Sequence, residues 1–220
     1  MRSLFLVLSL IFTGSISFAE TNQNLLNRRS LLLQPGDVIL LSLTCFSCRM
    51  IEAESGTRFS HSGIVFFDQS GKVRIAQALG DVHSVKLEEF LSYSDSTRPP
   101  FVIRNRELEQ RFLKKDSAIE EFNSSLREIY ESEFLGADFD HDYLWENVDE
   151  LGREKLYCSE FIAKILNKFL LNKIQPKKMS FKINKSFWMT YFHGKIPEGL
   201  PGLSPATFYR SQLFMGLGSF

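Results

Sequence analysis

"HSGIVFFDQSGKVRIAQAL", residues 61–79, contains two apolar runs on either side of Asp68-Gln69-Ser70-Gly71. Turn-forming residues between runs rich in Val, Ile and Phe predict an antiparallel hairpin. A hairpin centred on Gln69 and Ser70 sets Gln77 directly beside His61, and period-two alternation puts Gln77 on the face it shares with Ile75 and Leu79. His61 opens its strand, and the small Ser62 and Gly63 after it leave room for close approach. A buried glutamine there needs partners, and either a histidine N–H or the backbone can supply them. His61 has two readings as well, a surface histidine at a strand start or a general base.

Upstream of the hairpin, "LQPGDVILLSL" (33–43) sends a Pro-Gly-Asp turn into a Val, Ile and Leu run, which reads as a buried strand. Downstream, Val82 to Val85 is a further extended piece, and "FVIRN" (101–105) follows the Pro99-Pro100 break. Four or five short strands therefore precede residue 106. From Glu107 to Leu135 the period changes. Ile119, Phe122, Leu126 and Ile129 recur at intervals of three and four among charges, predicting an amphipathic helix ended by Gly136. A second helix starts at Cys158 or one residue earlier, with Phe161, Ile162, Ile165, Leu166 and Phe169 on one face. The tail from Lys177 is rich in Phe and Trp, and "PEGLPGLSP" (197–205) reads as loop. Strands followed by helices, without repeat, low-complexity tract or linker, predict one α+β domain.

Cys158 stands in "EKLYCSEF" (154–161), at the first turn of the second helix. Unsatisfied backbone N–H groups and the positive end of the helix dipole favour a thiolate there. A buried, inert thiol fits the same position, since free cysteine is among the most buried residue types. A nucleophilic cysteine needs a base, and the chain offers His61, His83, His141 and His193. His83 lies in a turn-rich stretch and His141 in the acidic "DFDHDY", both suited to solvated side chains, while His193 in "YFHGK" belongs to the packing of the tail.

Length and composition narrow the choices. The first nineteen residues, with Arg2, the apolar run Leu4 to Phe12 and the small residues Ser15, Ser17 and Ala19, read as a secretory signal cleaved after Ala19; an uncleaved anchor is the alternative. The run is shorter than the ~20 residues that span a bilayer, so no stable membrane insertion is expected. Residues 20–220 are expected to form a single domain. The 26 basic and 26 acidic residues balance, which gives no footprint for nucleic acid. Three cysteines leave one unpaired. Cys45 and Cys48, as C-F-S-C, can form a disulfide in an oxidising compartment. With His61 they also have the spacing that opens a zinc finger, but no second ligand pair follows and His61 leads into strand, so no metal is expected.

Taken in order, "PGDVIL", "FSHSGIVF", "RIAQALG", "GADFDHDYLW" and "LYCSEFIAKIL" resemble the permuted papain-like cysteine amidases of the YiiX/YebB-like group, the circularly permuted branch of the NlpC peptidase superfamily. The resemblance covers roughly residues 34–170. It implies a circularly permuted papain-like fold, an antiparallel sheet packed against helices with the nucleophile at a helix N-terminus. By it Cys158 matches the nucleophile, His61 the base and Gln77 the polar third member, where many relatives carry a glutamate. Tyr157 and Ser159 flank the nucleophile and fall to the oxyanion and substrate pocket. Asp140 and Tyr143 match the acidic-aromatic stretch and are assigned no chemistry.

The resemblance implies an exported, periplasmic or secreted cysteine hydrolase that cleaves an amide bond without a cofactor. Its substrate is a peptidoglycan stem peptide or a related amide. Two alternatives remain on the same fold. A lipid-directed acyl hydrolase or acyltransferase is suggested by the abundance of Phe and by the lipid-handling lecithin:retinol acyltransferase group of the permuted branch. A non-catalytic lipid- or peptide-binding module is suggested by Gln77 in place of a carboxylate.

Overall fold

The computed structural model describes residues 32–115 and 117–220. The expected secretory signal, residues 1–19, lies outside the described residues. A compact unit runs from Gln34 to Phe220. Its centre is a six-stranded sheet whose neighbouring strands are all antiparallel. Strands β1 (Val38–Leu41), β2 (His61–Phe67), β3 (Val73–Leu79), β4 (Asp81–Lys86), β5 (Phe101–Asn105) and β8 (Phe214–Ser219) lie in the order β4-β3-β2-β1-β5-β8. A separate two-residue pair, β6 (Lys177–Lys178) and β7 (Pro201–Gly202), forms within the tail.

The Pro-Gly-Asp turn is fixed by burial at both of its last two residues. Gly36 has φ +88°, and a Cβ there would lie 2.8 Å from Leu108 and 3.0 Å from Phe122, so only glycine fits. Asp37 is fully buried and paired in two-point fashion with Arg104, Nε donating to Oδ1 at 2.7 Å and the second nitrogen to Oδ2 at 2.8 Å. That pair ties the start of β1 to β5, its neighbour in the sheet though three strands lie between them in the chain.

The hairpin forms, with a register two residues away from the one predicted. Phe67 lies opposite Val73 and Ile64 opposite Ala76, so the turn is centred on Ser70 and Gln77 comes level with Gly63. The cause is Asp68, whose Oδ1 accepts from the N–H groups of Ser70 (2.8 Å) and Lys72 (3.0 Å) while its own N–H donates to the Lys72 carbonyl. This side-chain turn holds Asp68 to Lys72 as the loop. A shift of two keeps every side chain on its face.

One sheet face carries Val38, Leu40, Ile64, Phe66, Ala76, Ala78 and Val82 into the main core. Two helices cover it: α4 (Ala118–Ile129), through Phe122 and Leu126, and α5 (Cys158–Asn167), through Phe161, Ile162, Ile165 and Leu166. The single helix expected over 107–135 is two, α3 (Arg106–Lys114) and α4, followed by a π turn at Tyr130–Phe134. Lys115 is extended between them (φ −153°, ψ 117°), and α4 restarts behind Ser117. Gly136, at φ +79°, follows the π turn as the expected stop.

Four further helices complete the unit: α1 (Phe46–Ser55), α2 (Leu87–Ser92), α6 (Lys185–Tyr191) and α7 (Pro205–Tyr209). α1 is pinned through Glu52, a buried carboxylate that accepts from Ser42 (2.5 Å), Ser60 (3.3 Å), Arg49 and Arg98. α2 sends Phe90 under the opposite sheet face, against Gly63 and the His61 ring.

Candidate functional site

Cys158 is the first residue of α5, and Tyr157 is the N-cap with no side-chain cap hydrogen bond. The first N–H groups of a helix have no intrahelical acceptor, so those at the start of α5 remain available as donors. Tyr157 is held from the other side: its buried hydroxyl accepts the Leu203 N–H at 2.9 Å. Burial drives the Tyr157 phenol well above its ordinary pKa, so it stays protonated.

The thiol of Cys158 meets His61. Burial pushes its pKa up, but the His61 side chain, by hydrogen bonding and charge, brings the net value below the ordinary thiol range. The Ser159 hydroxyl, 3.8 Å from the sulfur, and the Ser62 hydroxyl act in the same direction. The His61 Nε2 is 2.7 Å from Gln77 Oε1. A carboxamide oxygen only accepts, so Nε2 carries the hydrogen and Nδ1 of the neutral ring is the free base. Gln77 is completely buried and His61 nearly so.

The structure thus brings together Cys158, His61 and Gln77, from α5, β2 and β3. Cys45 and Cys48, with their sulfurs 2.02 Å apart, form a disulfide at the N-terminus of α1, where Cys45 Sγ accepts the Cys48 N–H. Cys158 is the free cysteine. The disulfide and Cys158 line one cavity of about 550 Å³. Its walls include Ile51, Tyr143, Phe181, Trp188 and Tyr191, and the cationic Lys177, Lys178 and Arg210 also line it. Trp188 is anchored by its indole N–H, which donates to Glu54 at 2.9 Å.

The acidic-aromatic stretch shapes this wall. Asp140 is fully buried and accepts from the N–H groups of Asp142 (3.0 Å) and Leu144 (2.7 Å) and from the Asn147 amide (2.7 Å). The loop it organises holds Tyr143 at φ +51°, edge-on to Tyr157 with ring centres 5.4 Å apart and hydrogen-bonded to the Tyr191 hydroxyl. Burial, reinforced by Tyr191 and by the nearby thiol, raises the Tyr143 phenol well above its usual pKa. Residues 138–140 run parallel to Leu156 and so link this loop to the start of α5.

Of the other histidines, His141 stays exposed on that loop beside Phe139, at the cavity, and His193 is exposed rather than packed in the tail. His83 departs from its expectation as a solvated turn residue. It sits in β4 directly opposite Gln77, with its Nε2 3.1 Å from the Gln77 amide nitrogen. Gly80, at φ +83°, lies midway between Gln77 and His83 and turns β3 into β4, and that glycine is the sequence signal that could have paired them.

The architecture is a mixed α and β unit with an antiparallel sheet packed by helices. A solved structure shares it: the crystal structure of the metalloprotein yiiX from Escherichia coli O157:H7, of the family DUF1105. It aligns over 85% of this chain and 97% of its own, with a TM-score of 0.68 and 18% identity. The chain therefore has a YiiX-like fold. No protein-family model matches the chain, and no curated protein matches its sequence. Among the described residues no helix is long and apolar enough to cross a membrane, and no three His, Cys, Asp or Glu side chains converge as a metal site.

Proposed function

We propose that this protein is a cysteine hydrolase that cleaves an amide bond through a thioester on Cys158. The observation that carries the reading is the contact of a thiol at a helix N-terminus with a histidine whose far nitrogen is held by a buried glutamine. The Cys158 sulfur attacks the substrate carbonyl carbon while its proton passes to His61 Nδ1. The tetrahedral oxyanion is met by N–H groups at the start of α5, with Tyr157 and Ser159 flanking it, a type of stabilisation worth about 10²–10³ in rate per donor. His61 returns the proton to the leaving amine as the C–N bond breaks, leaving an acyl thioester. Water then attacks the thioester, gives its proton to His61, and the carboxylic acid leaves as the thiol is re-formed.

The arrangement suits the papain-like set in permuted order, with the sheet strands preceding the cysteine helix in the chain. The structural neighbour is described as a metalloprotein. In this chain Gln77 engages His61 Nε2 and His83 Nε2, and no three ligand-type side chains converge among the described residues, so the residues present do not fit a metal and no step runs through one.

A peptidoglycan-derived peptide is the first substrate class to test. A second reading, an acyl amide or lipid ester, is favoured by the aromatic and aliphatic cavity wall formed by Ile51, Phe181 and Trp188. The leader-like residues 1–19 and the disulfide both fit an exported, oxidising location. The test incubates wild type and Cys158→Ala with purified sacculi and with a long-chain acyl amide and follows released amine by mass spectrometry. Turnover in wild type and none in a folded Cys158→Ala is expected. Equal turnover by the variant sinks the reading, and no turnover together with tight binding of either substrate points to a binding module instead.

A further inference from the structure

Gln77 can serve His61 only with its carboxamide facing one way, and an amide is free to turn end for end unless its neighbours forbid it. Two neighbours lie on its nitrogen side. His83 Nδ1 lies 2.7 Å from Asp81 Oδ1, an oxygen that only accepts, so Nδ1 holds the ring's hydrogen. With that one hydrogen the ring presents a lone pair at Nε2, 3.1 Å from Gln77 Nε2. The second neighbour is Tyr93, whose hydroxyl donates to Glu89 Oε1 at 3.0 Å and lies near enough to the Gln77 amide to be stabilised by it when ionised. With its own hydrogen spent on Glu89, the Tyr93 oxygen offers that amide only lone pairs. The nitrogen side of Gln77 thus faces acceptors, and the carbonyl is left for His61. Turning the amide over would set Oε1 against two lone pairs and the NH₂ against the His61 N–H.

We propose that Asp81–His83 and Glu89–Tyr93 are positioning pairs that hold the Gln77 amide in one orientation and thereby fix His61 as the tautomer with Nδ1 free toward Cys158. The inference rests on the reading of His61 as the base for Cys158. Every hydrogen bond from the two carboxylates to the thiol points the same way, so the dipoles add when His61 becomes positively charged. The chain supplies an answer to the neutral third residue. Gln77 carries no charge of its own, yet its carbonyl is oriented by two acidic side chains, Asp81 on β4 and Glu89 on α2. None of the four residues touches the reacting atoms.

The test uses the full chain with ¹⁵N-labelled histidine. In a Cys158→Ala background, ¹⁵N chemical shifts report which His61 nitrogen bears hydrogen, whether or not Cys158 is reactive. Wild type at both positions should show the Nε2–H tautomer, and His83→Leu with Tyr93→Phe should show a mixture. With Cys158 present, iodoacetamide labelling at pH 7.5, above the ordinary imidazole pKa, should slow about five-fold in either single variant, the effect expected for loss of one neutral hydrogen bond, and further in the double variant. His83→Gln, which restores an acceptor, should recover most of the rate. A folded double variant with an unchanged His61 tautomer and an unchanged labelling profile overturns the proposal. If His83→Leu does not fold, Asp81→Ala, at a half-exposed site, frees the His83 tautomer and takes its place under the same criteria. A wild-type thiol that resists labelling at pH 6 counts against Cys158 as nucleophile, while the tautomer measurement still decides the role of His83 and Tyr93.

Discussion

Gln77 accepts the His61 Nε2 hydrogen at 2.7 Å from a position level with Gly63 rather than with His61 itself. The contact is a diagonal across the β2–β3 ladder, and the residue it passes has no side chain. Gly63 is also covered by Phe90 and Ile75, so a methyl group there would lie 2.5 Å from Ile75 Cγ2 and 2.7 Å from Phe90 Cζ.

Gly63→Ala should therefore both destabilise the unit and loosen the site. Overpacking of this kind costs about 1–3 kcal/mol. Urea unfolding should show that loss, and the labelling rate of Cys158 at pH 6 should fall with it. An unchanged unfolding midpoint would mean that Phe90 yields freely, contrary to the packing described.

The lowered thiol pKa has a signature in stability. A thiol whose folded pKa lies below its unfolded value adds stability above the unfolded pKa, about 8.5 for cysteine, and loses it as pH falls through the folded value. The difference in unfolding free energy between wild type and Cys158→Ala should accordingly move in favour of wild type as pH rises from 6 to 9. A flat difference over that range would place the thiol at its ordinary pKa.

Glu160 carries the opposite sign. Burial lifts its carboxyl to about 7 despite a hydrogen bond from the Glu146 N–H and an ion pair with Lys164, and Lys164 is shared with Glu154. A raised carboxyl contributes stability below its unfolded pKa and loses it as pH rises through about 7. Glu160→Gln should remove that loss, leaving the variant more stable than wild type at pH 8 by about 3 kcal/mol. Chemical denaturation at pH 5 and pH 8 checks it, and a variant less stable at pH 8 would mean that the charged pair with Lys164 dominates.

The disulfide closes a very short loop, so its effect on global stability is small, about 2 kcal/mol or less. Its local effect is larger. In Cys45→Ser with Cys48→Ser the first turn of α1 loses its covalent closure, and hydrogen exchange of the α1 amides should quicken while the β1 and β2 amides hold their protection. Equal protection of α1 in both proteins would show that Glu52 and its partners suffice.

The face of the hairpin is legible in the sequence because period-two alternation groups Ile75, Gln77 and Leu79, and the apolar face of α5 is legible from Phe161 to Leu166. The register is less so, since it depends on whether Asp68 turns the chain with its side chain. The break between α3 and α4 falls where charge hides it, as Lys114 and Lys115 fit a helix surface as well as a loop. β8, "FMGLGS", reads poorly as a strand because two of its six residues are glycine, and it is fixed only by pairing with β5. α1 is weakly patterned and leans on distant partners, Asp95 and Arg98 among them. The roles of His83 and Tyr93 need the third dimension, because Tyr93 reaches Gln77 only after α2 folds back against the sheet.

β4 is the last strand on its side of the sheet, and an uncovered strand invites pairing with another chain. Here the Val82 N–H donates to Ala137, the Val82 carbonyl accepts from Gly136, and the Gly80 carbonyl accepts from Phe139. The stretch that shapes the cavity wall also occupies this border. Shortening the 136–139 segment would therefore threaten solubility before it altered chemistry, by exposing a β-strand template for self-association.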